Sequence, residues 1–110
     1  MMRAMWIDTH CHLDAPELRA QLPAVRALAR TRGVRRCVIP AVQVADFAHA
    51  AALAAELHDA YALGIHPLYV PQADEADLQR LDEALRERAG DPRLVAVGEI
   101  GLDFFVPALL

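Results

Sequence analysis

The chain has 110 residues, of which 55% are hydrophobic and 24% charged, and its formal net charge is −4. This composition excludes a disordered chain, no apolar run approaches the roughly 20 residues that span a bilayer, and the acidic balance argues against a general attraction to nucleic acid. The sequence contains no Ser, Asn or Lys, which excludes a serine nucleophile, a P-loop lysine, a Schiff base and a carboxylated lysine that bridges two metals.

The first residues, MMRAMWID, contain one Arg and no sustained apolar segment, which predicts neither a secretory signal nor a transit peptide. The expected location is therefore the cytoplasm, with no membrane partner. Cys11 and Cys37 are too few for a disulfide scaffold and lie in apolar runs, so we expect both to be reduced structural thiols.

Four short apolar runs have the composition of β-strands. They are residues 5–10 (MWIDTH), 36–41 (RCVIPA), 60–65 (AYALGI) and 94–100 (LVAVGEI). None of them alternates cleanly between apolar and polar residues. This pattern is typical of strands that are covered on both faces, and it favours a parallel sheet.

A helical pattern follows each of the first three runs. In the first, the apolar residues of one face run from Leu18 to Leu28. Asp14 with Glu17 resembles a capping box at its start, and Gly33 marks its end.

The second helical pattern begins at Asp46, with its apolar face running from Phe47 to Leu57. The third opens at Asp74 and ends at Gly90. The resulting βαβαβαβ order predicts the α/β class, as either an open doubly wound sheet or part of a (β/α)8 TIM barrel. A complete barrel needs about 250 residues, so this chain could supply only the first half of one.

In WIDTHCHLD, two histidines stand one residue apart at the end of the first predicted strand. Residues two apart in a strand share a face, so His10 and His12 are expected to point at one position, with Asp8 in the same register. Imidazole is a preferred ligand for zinc and other transition metals. The pair therefore predicts half of a metal site, and the alternative is two structural histidines.

Two further polar residues stand at the ends of predicted strands. In VAVGEIGLD, Glu99 shares its face with Val95 and Val97, so its carboxylate is expected to be buried and to need a partner such as a metal. The alternative is a surface glutamate just beyond the strand. In GIHP, His66 leaves the third strand at a position suited to a ligand or substrate contact.

The other histidines and the arginines predict less chemistry. His49 and His58 belong to the second helix and its end, where surface or packing roles are expected. Arg26 falls within an arginine-rich stretch that we interpret as a solvated helix end and loop. Arg35 and Arg36 precede the second strand, at the opposite rim from the histidines, and are poorly placed to bind a substrate.

The segments IDTHCHLD, GIHP and VGEIGLDFF, in this order and spacing, resemble the motifs of the TatD family of metal-dependent deoxyribonucleases. That family lies within the wider (β/α)8 metal-dependent hydrolases. The resemblance covers essentially the whole chain, and GEIGLDF is its most specific part. It implies a two-metal phosphodiesterase acting on DNA, often as a 3′ to 5′ exonuclease.

The resemblance also implies roles for individual residues. His10 and His12 would bind one divalent cation, Mg, Mn or Zn, while Glu99 would bridge two cations and take part in catalysis. His66 would lie close to the substrate, and Asp103 belongs to the motif with no role assigned. Two metals, rather than a basic groove, would then supply the attraction for DNA.

The resemblance extends only to the first four βα units, whereas the family takes two more histidines and an aspartate from later strands. We therefore expect residues 1–110 to be a single partial domain with little or no nuclease activity alone, as a gene fragment, a split gene product or a deliberately shortened chain. Uncovered strand edges predict a homo-oligomer, poor solubility or a complementing C-terminal half. The rival readings are an amide or ester hydrolase of the same superfamily, and a non-catalytic remnant or interaction module.

Overall fold

The computed structural model describes residues 4–109, and over this range four strands alternate with three α-helices. The elements are β1 (Trp6–Asp8), α1 (Leu22–Thr31), β2 (Val34–Pro40), α2 (Phe47–Leu57), β3 (Ala60–Leu63), α3 (Glu75–Glu87) and β4 (Leu94–Val97). Short 3-10 helices lie at Pro16–Leu18, Val44–Asp46, Pro67–Gln72 and Pro107–Leu109. The predicted α/β class and βαβαβαβ order are confirmed.

The four strands form one parallel sheet in the order β1-β2-β3-β4. In its register, Val38 pairs with Ala60, and Tyr61 pairs with Leu94. Because neighbouring strands are parallel and consecutive, their carboxyl ends lie along one rim of the sheet. The loops after β1, β2, β3 and β4 therefore meet at that rim.

The hydrophobic core lies between the sheet and helix α2. All four residues of β3 are buried, and Ile39, Tyr61 and Leu63 have no exposed surface. The predicted apolar face of the second helix is confirmed, since Phe47 and Ala54 are buried in this core. The alanines of α2 have short side chains, which permits close packing against the strands.

The start of α1 differs from the sequence prediction. Asp14 and Glu17 do not form a capping box, because Glu17 lies within a separate 3-10 helix and α1 begins only at Leu22, without a side-chain cap. Leu28, predicted on the buried face, is 57% exposed, whereas Arg26 is buried. The buried face of α1 is therefore rotated from the predicted one, and it includes Arg26, which forms an ion pair.

That ion pair joins α1 to the residue before β3. The Arg26 guanidinium donates to both carboxylate oxygens of Asp59 at 2.7 Å each, and it also donates to the backbone carbonyls of Val34 and Arg35. The Cys37 N–H donates to the same carboxylate at 3.0 Å. The interpretation of Arg26 as part of a solvated stretch is thus wrong, because its charge is paired inside the protein.

Helix α3 begins as predicted and ends earlier than predicted. Asp74 accepts the N–H of Asp77, and Asp77 accepts the N–H of Asp74, which together form a capping box. The helix ends at Glu87, before Gly90. Within residues 4–109, each helix is too short or too polar to cross a bilayer.

The side chains of β4 differ from expectation in their exposure. Val95 and Val97 were expected to be buried, yet they are 54% and 52% exposed. At the opposite edge of the sheet, Trp6 and Ile7 of β1 are 62% and 65% exposed. The reason is that no element within residues 4–109 packs over these parts of the sheet.

Candidate metal centre

The two histidines of the first motif lie in the loop after β1, and not in the strand itself as predicted. Asp8, the last residue of β1, accepts the N–H of His10 at 3.1 Å. The Cys11 N–H donates to the Val38 carbonyl at 3.0 Å, which keeps the loop alongside β2. The Cys11 side chain packs against the hydrophobic core while His10 and His12 reach the rim, and this burial is the main cause that raises the pKa of Cys11 to about 12.

Glu99 is brought to the same rim by the backbone after β4. The Gly98 N–H donates to the Leu63 carbonyl at 2.8 Å, and the Glu99 N–H donates to the Ala41 carbonyl at 2.9 Å. The peptide bond between Gly98 and Glu99 is cis. At this point the backbones approach closely, because a Cβ on Gly64 would lie 2.6 Å from the Gly98 carbonyl carbon.

The side chains of His10, His12 and Glu99 converge. Nε2 of His10 lies 3.1 Å from Oε2 of Glu99, Nε2 of His12 lies 3.2 Å from the same oxygen, and the two nitrogens are 3.2 Å apart. Among residues 4–109, this is the one group of three or more His, Cys, Asp or Glu side chains with ligand atoms this close together. The chain thus brings the three sequence-predicted metal ligands to a single point.

The donor atoms of this cluster fit a divalent cation. Bonds of about 2.1 Å to nitrogen or oxygen place adjacent ligand atoms roughly 3.0 Å apart in octahedral and roughly 3.4 Å apart in tetrahedral coordination, and the observed separations lie between these values. Oε2 of Glu99 is buried and has no hydrogen bond of acceptable geometry, although two imidazoles are near. A bound cation would stabilise a buried carboxylate oxygen that lacks such a bond.

His66 lies on the other oxygen of the same carboxylate. Its Nε2 is 3.0 Å from Oε1 of Glu99, and its Nδ1 accepts the N–H of Leu68 at 3.0 Å. Because Nδ1 accepts, it carries no proton, and the ring proton of the neutral imidazole is on Nε2. Nε2 of His66 therefore faces Oε1 of Glu99, a contact that sequence reasoning did not anticipate.

Asp103, whose role the motif left open, organises the loop after Glu99. Its Oδ1 accepts the N–H groups of Phe105 at 2.7 Å and Val106 at 3.0 Å. The hydrogen bond from Val106, and next to it the one from Phe105, lower the pKa of Asp103 below its usual value. The structure therefore gives this carboxylate a backbone-capping role.

A cavity of about 460 Å³ opens beside the cluster and is lined by His12, His66 and Glu99. It is also lined by residues to which sequence reasoning gave no functional role: Arg19, Gln43, His49 and Tyr69. One signal was present, because a helix that follows a parallel strand starts at the rim where the strand ends, and His49 is in the first turn of α2. The interpretation of His49 as an ordinary surface or packing residue is therefore incomplete.

Comparison with known proteins identifies relatives of the whole chain. The family model described as TatD related DNase matches residues 7–108. The chain is 39% identical, over 105 residues, to the uncharacterized metal-dependent hydrolase YjjV of Escherichia coli K12, and 36% identical over 106 residues to the human deoxyribonuclease TATDN3. The crystal structure of YjjV superposes with a TM-score of 0.88 at 37% identity and covers 98% of this chain.

The matches cover only part of each relative. They span 94% of this chain but 40% of YjjV, and 89% of this chain but 38% of TATDN3. The structural match likewise covers 41% of the YjjV chain. This chain therefore has the fold of the N-terminal part of a TIM barrel and spans about 40% of the length of these relatives.

Proposed function

Because the chain belongs to the TatD related DNase family, we propose that its rim cluster serves metal-dependent hydrolysis of phosphodiester bonds in DNA. The observation that carries this proposal is the convergence of two imidazole nitrogens and one carboxylate oxygen within 3.2 Å of one another. Relatives named as a deoxyribonuclease and as metal-dependent hydrolases support the reaction class. We propose that the enzyme removes nucleotides in the 3′ to 5′ direction, starting at the 3′ end of a DNA strand.

In this proposal each side chain has a defined task. His10, His12 and Glu99 would hold one cation, and Glu99 would also serve as a ligand of a second one. His66 orients the carboxylate and lies beside the cavity that would receive the substrate. When bound, two divalent cations would lower the pKa of a shared water and neutralise charge on the phosphate oxygens.

The described residues supply three close-lying ligand atoms, which is fewer than two metal sites require. We propose that the other ligands come from further polypeptide, either a complementing segment or a second copy, and that the 110-residue chain alone has little or no nuclease activity. We also propose the cytoplasm as its setting, because Cys11 and Cys37 are both free.

Metal titration tests the cluster directly. Mn²⁺ binding to the chain is measured by calorimetry, together with His10→Ala and Glu99→Ala. Each variant is expected to lose affinity by about a hundredfold or more, since loss of an outer-shell partner alone costs about 10–100-fold. His58→Asn is the matched control, because His58 lies at the opposite end of α2 with φ 57°, a conformation that Asn tolerates.

Equal Mn²⁺ affinity in all four proteins would disprove the proposed cluster. The substrate class is tested separately, by joining the chain to the C-terminal remainder of YjjV and comparing end-labelled single-stranded DNA with small ester substrates. Shortening of the DNA from its 3′ end is the expected result. Turnover of esters without DNA cleavage would favour the rival hydrolase reading.

A further inference from the structure

The cavity beside the metal centre is bounded by three consecutive loops at the carboxyl rim. The loop after β1 contributes Arg19, the loop after β2 contributes Gln43, and the loop after β3 contributes Tyr69. His12, His66 and Glu99 complete its lining on the side of the cluster. Any molecule that fills the cavity therefore lies against the groups proposed to carry the reaction.

The size of the cavity indicates the size of its occupant. Its volume of about 460 Å³ falls within the roughly 300–1,000 Å³ of pockets that bind small ligands. It opens to solvent at the rim, so one unit of a longer chain can enter it while the rest stays outside. A single nucleotide unit of a DNA strand satisfies both conditions.

The charges in the cavity define where an anionic group can sit. Arg19 is exposed and contributes the one guanidinium among the described lining residues. Besides Glu99, the carboxylates of Asp14 and Asp46 line the cavity. Burial is the larger cause, and the charge of Asp14 the smaller one, that raise the pKa of Asp46. A phosphate is thus favoured near Arg19, while groups that donate hydrogen bonds are favoured near the carboxylates.

The uncharged lining suits a nucleobase. Tyr69 is 37% exposed, and its ring meets His66 edge-on, with ring centroids 6.4 Å apart and planes at 85°. A partly exposed aromatic ring next to the apolar side chains of Val42 and Leu68 provides a stacking surface for a base. The amide of Gln43 offers both a donor and an acceptor, as the edge of a base requires.

We propose that this cavity binds the nucleotide adjoining the scissile phosphate, with Tyr69 stacking on the base, Gln43 bonding its edge and Arg19 bonding a phosphate. The inference rests on the proposed function, since it names the substrate unit that the same rim would hold. It differs from the metal proposal in one respect: none of these three side chains needs a cation to bind a nucleotide. Affinity for a mononucleotide is therefore separable from metal binding.

The test is a titration of the 110-residue chain with thymidine monophosphate, in which ligand-observed NMR measures the binding affinity. It is done once in EDTA and once in saturating Mn²⁺. Tyr69→Ala is expected to weaken binding about fivefold or more in both solutions, because stacking on an aromatic side chain is lost. Arg19→Ala is expected to weaken binding and to reduce its dependence on salt, because one phosphate contact is removed.

Two control variants keep the test specific. Tyr69→Phe retains the ring and is expected to bind nearly as well as the unchanged chain. Arg86→Ala removes a solvent-exposed arginine of α3 that pairs with Asp82 and is expected to leave binding unchanged. Circular dichroism of each variant identifies any loss of binding that comes from unfolding.

The outcomes separate this inference from the metal proposal. Binding in EDTA that depends on Tyr69 and Arg19 supports the subsite. Binding that requires Mn²⁺ and is unaffected by Tyr69→Ala and Arg19→Ala overturns the subsite and leaves the metal proposal intact. Absence of binding in both solutions overturns the subsite as well, while the separate Mn²⁺ titration still decides the metal cluster.

Discussion

His66 lies between a backbone N–H group and the carboxylate of Glu99. The Leu68 N–H donates to Nδ1 of the imidazole, and Nε2 lies 3.0 Å from Oε1 of Glu99. In metal sites, contacts to a ligand from the surrounding residues hold that ligand in its binding orientation. In this protein the contact links the loop after β3 to the loop after β4.

We expect His66→Ala to lower Mn²⁺ affinity by about 10–100-fold, because Glu99 loses the donor that orients it. His66→Gln should lose less, since its amide nitrogen can still donate to the carboxylate. Calorimetric titration of both variants measures the difference. Equal affinity in the unchanged chain and His66→Ala would show that His66 does not orient Glu99.

The ion pair of Arg26 and Asp59 is a second place where single residues matter, here for the stability of the protein. Burial alone would raise the pKa of Asp59, but hydrogen bonds from Arg26 and the Cys37 N–H, with the charges of Arg26 and Arg30, hold this pKa below its usual value. Removing one partner of such a buried pair costs about 3–5 kcal/mol, because the other charge is left without a partner.

The lowered pKa predicts a pH dependence of stability. Below about pH 5 the unfolded chain binds a proton at Asp59 more readily than the folded chain does, so the free energy of unfolding falls as the pH falls through the folded pKa. Urea unfolding at a series of pH values should show this loss in the unchanged protein. Asp59→Asn should be less stable at neutral pH and should lack this part of the slope, so identical slopes would contradict the prediction.

Among the secondary-structure elements, the ends of β3 and β4 determine the geometry of the rim. Gly64 follows β3 and Gly98 follows β4, and the two backbones are close enough that a Cβ at Gly64 would lie 2.6 Å from a backbone carbon. Backbone atoms cannot yield as a flexible side chain can. The absence of a side chain at Gly64 is thus a condition for Glu99 to reach the histidines.

We expect Gly64→Ala to destabilise the fold by about 1–3 kcal/mol through overpacking and to lower Mn²⁺ affinity by moving Glu99. Gly90→Ala is the matched control, because a Cβ there would meet nothing within 4 Å. Urea unfolding and Mn²⁺ titration of both variants test the expectation. A Gly64→Ala variant with unchanged stability and affinity would show that the strands can separate without cost.

At the scale of the whole molecule, the sheet is covered unevenly. Strand β3 and the C-terminal half of β2 are largely buried, whereas large apolar side chains of β1 and β4 are exposed, among them Trp6, Ile7, Val95 and Val97. Exposed strand edges with apolar side chains favour pairing with other polypeptide. The same sheet thus combines a packed core with surfaces suited to association.

We expect the chain to associate in a concentration-dependent manner in analytical ultracentrifugation. Ile7→Glu should weaken the association, because it places a charge on the exposed part of β1. Leu28→Glu is the control, since Leu28 is similarly exposed, at 57% against 65%, but lies on α1. A monodisperse monomer that melts cooperatively would contradict this expectation.

The sequence alone was sufficient to predict the order of the elements. Four apolar runs and three helical patterns gave the parallel α/β class, because the signals for strands and helices lie within short segments of the chain. The start of α3 was predicted for the same reason, since Asp74 is a local start signal; the structure adds that Asp74 forms a capping box with Asp77. The sequence also predicted His10, His12 and Glu99 as metal ligands, and the structure brings these three side chains to one point.

Tertiary structure alone decided the contacts between residues that are distant in sequence. The pair of Arg26 and Asp59 joins positions 33 residues apart, and it rotated the buried stripe of α1 in a way that helix periodicity could not reveal. The contact of His66 with Glu99 and the cavity lined by Arg19 and Tyr69 likewise arise only when three loops meet at one rim. Short-range patterns set the elements, whereas the packing of those elements sets which side chains face each other.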